Sequence, residues 1–204
     1  VLVMYKIGVL LLSPAFGLLL AFIAAISPAQ ISASTPLQQH ALIGLLSSLI
    51  LYLFIKVSSS HESGKISALW GFLSGVAINT HFQATGLLTL PIILFLFSKK
   101  KKFILFFLLG LFISMIPILT FELNNHWFNT KNIIDYVMIG QYRIWTSNRW
   151  LTFLGKFWPE FWTYTIGLPV IVSSVIMFTT GLLLAFKFIK KKLPLSFTLI
   201  SISF

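Results

Sequence analysis

Apolar residues run along this chain in long unbroken blocks, separated by short polar or basic steps. The blocks are continuous, which argues against the alternating apolar and polar strands of a membrane β-barrel. Block 7–26 makes a helix of about 30 Å, one hydrocarbon thickness. That is longer than the h-region of a signal peptide. Pro14 lies inside it and predicts a local kink. Ser27-Pro28 closes the block, and 29–36 (AQISASTP) is a short polar link. The second span is 37–55, its first turn made polar by Gln38, Gln39 and His40. Residues 56–65 (KVSSSHESGK) form a hydrophilic loop.

Block 66–97 would be about 48 Å long as one helix, too long for a single crossing. Asn79-Thr80-His81-Phe82-Gln83 breaks it. The pattern therefore predicts two short helices, 66–78 and 84–97, meeting at a polar apex, with Pro91 bending the second. A lysine run at 99–102 precedes a span at 103–120, with Pro117 near its end. A long aromatic loop follows at 121–165, then a span at 166–186, a basic step at 187–192 and the start of another span at 193–204. The expected fold is an all-α polytopic membrane protein in a single transmembrane domain, with about six to seven transmembrane or half-spanning helices. Both ends look cut, so the chain is expected to be a fragment of a longer protein.

Charge makes the membrane class firmer. Only 9% of residues are charged against 57% hydrophobic, where a soluble domain carries about 25% charged residues to cover its surface. The net charge of +11 raises the question of nucleic acid. The lysines instead sit in short clusters beside apolar runs, as cytoplasmic anchors do, so a nucleic-acid partner is not expected. The bilayer is the expected partner. With no cysteine, disulfide and thiolate chemistry are excluded.

The lysines also set an expected topology. If 66–97 crosses twice, Lys6, 56–65, 99–102 and 187–192 all face the cytoplasm; a single crossing would split them. Two crossings place the 29–36 link, the 79–83 apex and the 121–165 loop together on the outer face.

Candidate chemistry concentrates in those outer features. The apex offers His81 and Gln83, at or within membrane depth, where polar groups mark functional sites or satisfy broken helix ends. Glu122, directly after the 103–120 span, is a candidate to orient a hydroxyl or to pair with Lys131, Arg143 or Arg149. Asn125 and His126 add hydrogen-bonding capacity beside it. Arg143 and Arg149 alternate with aromatics in QYRIWTSNRW, suiting phosphate and sugar rings as well as a lipid interface. The loop holds five of the chain's six tryptophans, and KFWPEFW (156–162) reads as an amphipathic interfacial segment. No phosphate loop, HExxH or GxSxG is present and the histidines are scattered, so no metal ligands are assigned. No cofactor is called for, and dependence on a divalent metal stays open.

Three stretches carry a resemblance: LLLAFIAAISPAQISAS, WGFLSGVAINTHFQATGLLTLPIILFLF and PILTFELNNHWFNTKNIIDYV. In order and spacing they resemble the integral-membrane GT-C glycosyltransferases, specifically the dolichyl-phosphate-mannose protein mannosyltransferases of glycosyltransferase family 39. The third is similar to bacterial members, which implies a bacterial plasma membrane and the cell envelope. The resemblance implies transfer of a sugar, with inversion, from a polyprenyl-phosphate carrier to an acceptor at the outer face. It puts the catalytic carboxylate in the first outer loop, expected upstream of Val1, with Glu122 as a possible auxiliary. It leaves phosphate binding to His81, Lys131, Arg143 or Arg149. ISASTPLQQH lacks the arginine and acid that many members carry there. Two other classes fit the pattern: a transporter or flippase of lipid-linked or small polar substrates, and a non-catalytic membrane scaffold.

Overall fold

The computed structural model describes residues 1–34, 39–59, 64–98, 101–138 and 148–189. Among them the chain is helical, with no strand. Two helices are long and apolar enough to cross a membrane, Leu42–Ser59 and Phe103–Asn124. The number rises to four if two bent pairs are each one span: Pro14–Ile26 with Pro28–Ser34, bent 58°, and Phe153–Ile166 with Val170–Leu182, bent 96°. The other apolar helices, Leu2–Leu11 and Phe82–Phe97, are shorter. Among the described residues the chain is thus an all-α membrane protein with two to four candidate spans beside these shorter apolar helices, where block lengths predict about six to seven transmembrane or half-spanning helices. The expected span 193–204 lies outside the described residues.

The first block differs most from its expectation. It is two helices, α1 (Leu2–Leu11) and α2 (Pro14–Ile26), rather than one kinked span. Pro14 starts a helix here instead of bending one. It occupies the first turn of α2, where its missing N–H costs nothing, and Ser13 caps it by accepting from the Phe16 N–H at 3.2 Å. The two helices fold back as an antiparallel hairpin, with Gly8 against Gly17: a Cβ on Gly8 would lie 2.5 Å from the Gly17 Cα. Ser13→Ala should lower stability by about 1 kcal/mol. Hydrogen exchange at Phe16 is the check, and unchanged protection would count against this cap.

The link expected at 29–36 is partly helical, as α3 (Pro28–Ser34). Then α4 (Gln39–Ser59) runs four residues past its expected end. Next, α5 (Gly64–Thr80) packs antiparallel on α4, with Phe54 against Trp70 at 5.7 Å between rings. The break falls at His81, in extended conformation. A 3₁₀ turn (Phe82–Leu88) and α6 (Thr89–Phe97) form the second leg. Then α7 (Phe103–Asn124) passes through Pro117 unbroken.

Helices α5 and α7 form the tightest pair. Gly64 lies beside Phe106, Gly71 beside Phe107 and Leu111, and Gly75 beside Ser114. Residue numbers rise together, so the two helices are parallel, and the chain between them must travel back. That return is the two-leg geometry that the lysines predict. It also brings Lys56, Lys65, Lys101 and Lys102 to one end of the bundle. Trp70 sits fully buried at the same junction, edge-on to Phe107 at 4.8 Å and stacked on Phe103 at 6.3 Å.

Candidate functional site

The apex divides into structural and cavity-facing residues. Asn79 donates from Nδ2 to the Ser114 carbonyl at 2.8 Å. That carbonyl neighbours Ile113, whose own carbonyl loses its helical donor to Pro117. Thr80 donates to Val76 within its helix. These two residues therefore serve the broken helix and its neighbour. His81 and Gln83 instead line a cavity of about 370 Å³ with Ile43, Ser47 and Leu87. The His81 Nδ1 accepts the Gln83 N–H at 3.3 Å, which places the imidazole proton on Nε2 when the ring is neutral.

Helix α4 separates this cavity from the link. Ile43 and Ser47 face His81, while Gly44 and Ser48 face Gln30 and Ser34 across a second cleft. The Ser27 hydroxyl donates to the Thr165 carbonyl at 2.6 Å, so the link also holds the end of the aromatic segment. The link, the apex and that segment's last helix thus gather at one end.

Residues 121–165 are not the open loop that polarity predicts. Among the described residues they hold α8 (Phe128–Met138), α9 (Arg149–Thr152), a π turn (Phe153–Phe157) and α10 (Trp158–Ile166). Phe153, Trp158, Phe161 and Trp162 form a ring cluster with centroids 5.9–6.3 Å apart. Gly167, at φ 80°, closes α10, and α11 (Val170–Ile189) follows. Arg143 lies outside the described residues; Arg149 begins α9.

Glu122 lies inside α7, not after it, and is buried at 4% exposure. Its carboxylate accepts the Asn129 N–H at one oxygen and the Thr130 N–H at the other, both at 3.1 Å. Those amides belong to the first turn of α8, where an anion is favoured. The Glu122 backbone carbonyl also accepts the Trp127 N–H at 2.8 Å, ending α7. One residue therefore ends α7 and starts α8. Among the described residues it pairs with no cation; Lys131 is exposed on α8.

The turn that Glu122 holds is strained. His126 and Trp127 are both left-handed, at φ 52° and 61°. A non-glycine residue there costs roughly 1–2 kcal/mol. Such strain clusters at functional sites, and here it projects exposed Asn125, His126 and Trp127 beyond α7. Asn125 donates to the Phe121 carbonyl at 2.8 Å. His126→Gly should stabilise the turn by several tenths of a kcal/mol, since strain relief exceeds the entropic cost of glycine. Chemical denaturation is the measure, and destabilisation would contradict the strain.

These groups do not converge on the apex. Eight residues separate Ser114, level with Asn79, from Glu122, about 12 Å along the helix. The sequence-predicted residues thus form two groups: His81 and Gln83 at the apex cavity, and Glu122, Asn125, His126 and Lys131 further out. Ser47, a cavity-lining hydroxyl, carries no signal in the sequence, because it lies mid-span in a serine pair flanked by Leu46 and Leu49.

Comparison with protein-family models, curated proteins and solved structures finds no match.

Proposed function

We propose that this chain is part of a membrane glycosyltransferase. It transfers a sugar from a polyprenyl-phosphate carrier to an acceptor at the extracytoplasmic face of a bacterial plasma membrane. The supporting observation is the gathering of the Ser27–Ser34 link and the His81–Gln83 apex at one end, on either side of α4. Both belong to stretches that carry the family resemblance. In this reading His81 and Gln83 supply hydrogen bonds to the sugar or its departing phosphate, where charge develops. His126 and Lys131 contribute further out, along the donor's path, and Arg143 and Arg149 are further candidates for the donor's phosphate. Glu122 acts as a positioning residue for Asn125–Lys131, and the base for the acceptor hydroxyl comes from elsewhere.

The test is sugar transfer by the full-length protein in proteoliposomes supplied with polyprenyl-phosphate mannose. Wild type should transfer, and His81→Ala and Gln83→Ala should each lower kcat/KM by about tenfold or more. Transfer undiminished in both variants would remove the apex from the site. The break at His81 also suits a transporter. Carrier-linked sugar crossing the bilayer without transfer would decide for that alternative.

A further inference from the structure

The second cleft, about 720 Å³, lies between the α1–α2 hairpin, α3 and α4. Small-molecule sites occupy roughly 300–1,000 Å³. Leu20, Ile23 and Ala24 line its apolar side. Leu2, Ile31 and Leu45 stand at its edge, each more than half exposed, so the opening is flanked by apolar side chains.

The polar side has a consistent chemistry. Ser27 donates to the Thr165 carbonyl at 2.6 Å, Ser34 to Ile31 at 2.8 Å, Ser48 to Gly44 at 2.8 Å and Thr165 to Phe161 at 2.9 Å. Every one of these lining hydroxyls commits its proton to a backbone carbonyl, so what it offers a ligand is lone pairs. Gln30 adds an exposed amide lying over Gly44. None of the lining side chains is charged. A charged headgroup would be desolvated here without a counter-charge. A headgroup carrying several hydroxyl donors meets a row of acceptors.

We propose that this cleft binds a neutral membrane amphiphile: a sugar or polyol headgroup against Ser27, Gln30, Ser34 and Ser48, and its hydrocarbon chain along Leu20 and Ile23. The site differs in charge from a phosphate-linked carrier and does not depend on the transfer reaction.

Photolabelling of the full-length protein tests this, in phosphatidylcholine nanodiscs with an alkyl glucoside carrying a diazirine in its chain. Gly44→Phe fills the cleft, since a Cβ at that position meets only the Gln30 amide, at 3.4 and 3.8 Å. Gly155→Phe, facing open space, is the matched control. Label should concentrate in peptides covering 1–34 and 42–48, fall several-fold in Gly44→Phe and persist in Gly155→Phe. Gln30→Leu, at an exposed side chain, should weaken labelling about three- to tenfold, the worth of one hydrogen bond. Unlabelled alkyl glucoside should compete; an alkyl phosphate of equal chain length and free glucose should not. Label spread evenly over the apolar helices overturns the proposal, as does labelling unchanged in both Gly44→Phe and Gln30→Leu. Equal competition by the alkyl phosphate rules out a neutral site, and competition by free glucose rules out a lipid-borne one.

Discussion

Gly71→Val and Gly110→Val each separate α5 from α7 and lose the native bundle. A Cβ on Gly71 runs into the Phe107 carbonyl, and one on Gly110 into the Ala68 carbonyl. Both obstacles are backbone, so no side chain can swing aside. The helices must move apart, breaking the Asn79–Ser114 hydrogen bond and the packing around Trp70 together. Overpacking a core costs typically 1–3 kcal/mol. A backbone-on-backbone clash belongs at about 3 kcal/mol or above. Denaturant titration in detergent, followed by Trp fluorescence and far-UV circular dichroism, gives the measurement. Gly181→Val, where nothing lies within 4 Å, should change stability by no more than about 0.5 kcal/mol, because valine is the better helix former. If Gly110→Val unfolds at the same denaturant concentration as Gly181→Val, the close parallel pairing of α5 and α7 is wrong.

Glu122→Ala releases the first turn of α8. The carboxylate is the acceptor for the Asn129 and Thr130 amides, and alanine leaves both without it. Exchange at these two amides should rise on the order of tenfold, as for a lost helix cap. Glu122→Gln keeps an acceptor oxygen and should retain part of that protection. Sugar transfer separates the two possible roles. A positioning residue gives graded loss, with the glutamine variant well above the alanine variant. A catalytic base gives equal and near-complete loss, because glutamine cannot take a proton. Equal loss with exchange unchanged would return Glu122 to the chemistry.

What the sequence made legible follows from local physics. The continuous apolar blocks, together with low charge, give a helical membrane class. The break near His81 is legible because four polar residues within five positions (79–83) interrupt a block too long for one span. The start of α7 is legible from the lysine run before it. The same local reasoning misjudged Pro14, since a proline inside an apolar run reads as a kink. Only the Ser13 cap and the fold-back of Gly8 onto Gly17 make it a helix start. It also misjudged 121–165 as a loop, because its helices are short and partly polar. The α8 start depends on Glu122, a side chain from the preceding helix.

The candidate site divides along the same line. Residue types alone single out His81, Gln83, Glu122 and His126, because polar groups beside long apolar runs stand out in any sequence. Their assignment to two separate groups, and the anchoring of the first turn of α8 by Glu122, came from the tertiary structure. So did Ser47 and the hydroxyl-lined cleft, whose serines look ordinary within apolar helices. Hydropathy and helix length act through the nearest few residues and the lipid, so the sequence by itself determined the membrane class and the broken helix. Helix pairing depends on glycines meeting backbone forty residues away, and hydrogen-bond partners on which helix ends adjoin. Those distances in space, which chain order does not encode locally, only the tertiary structure decided.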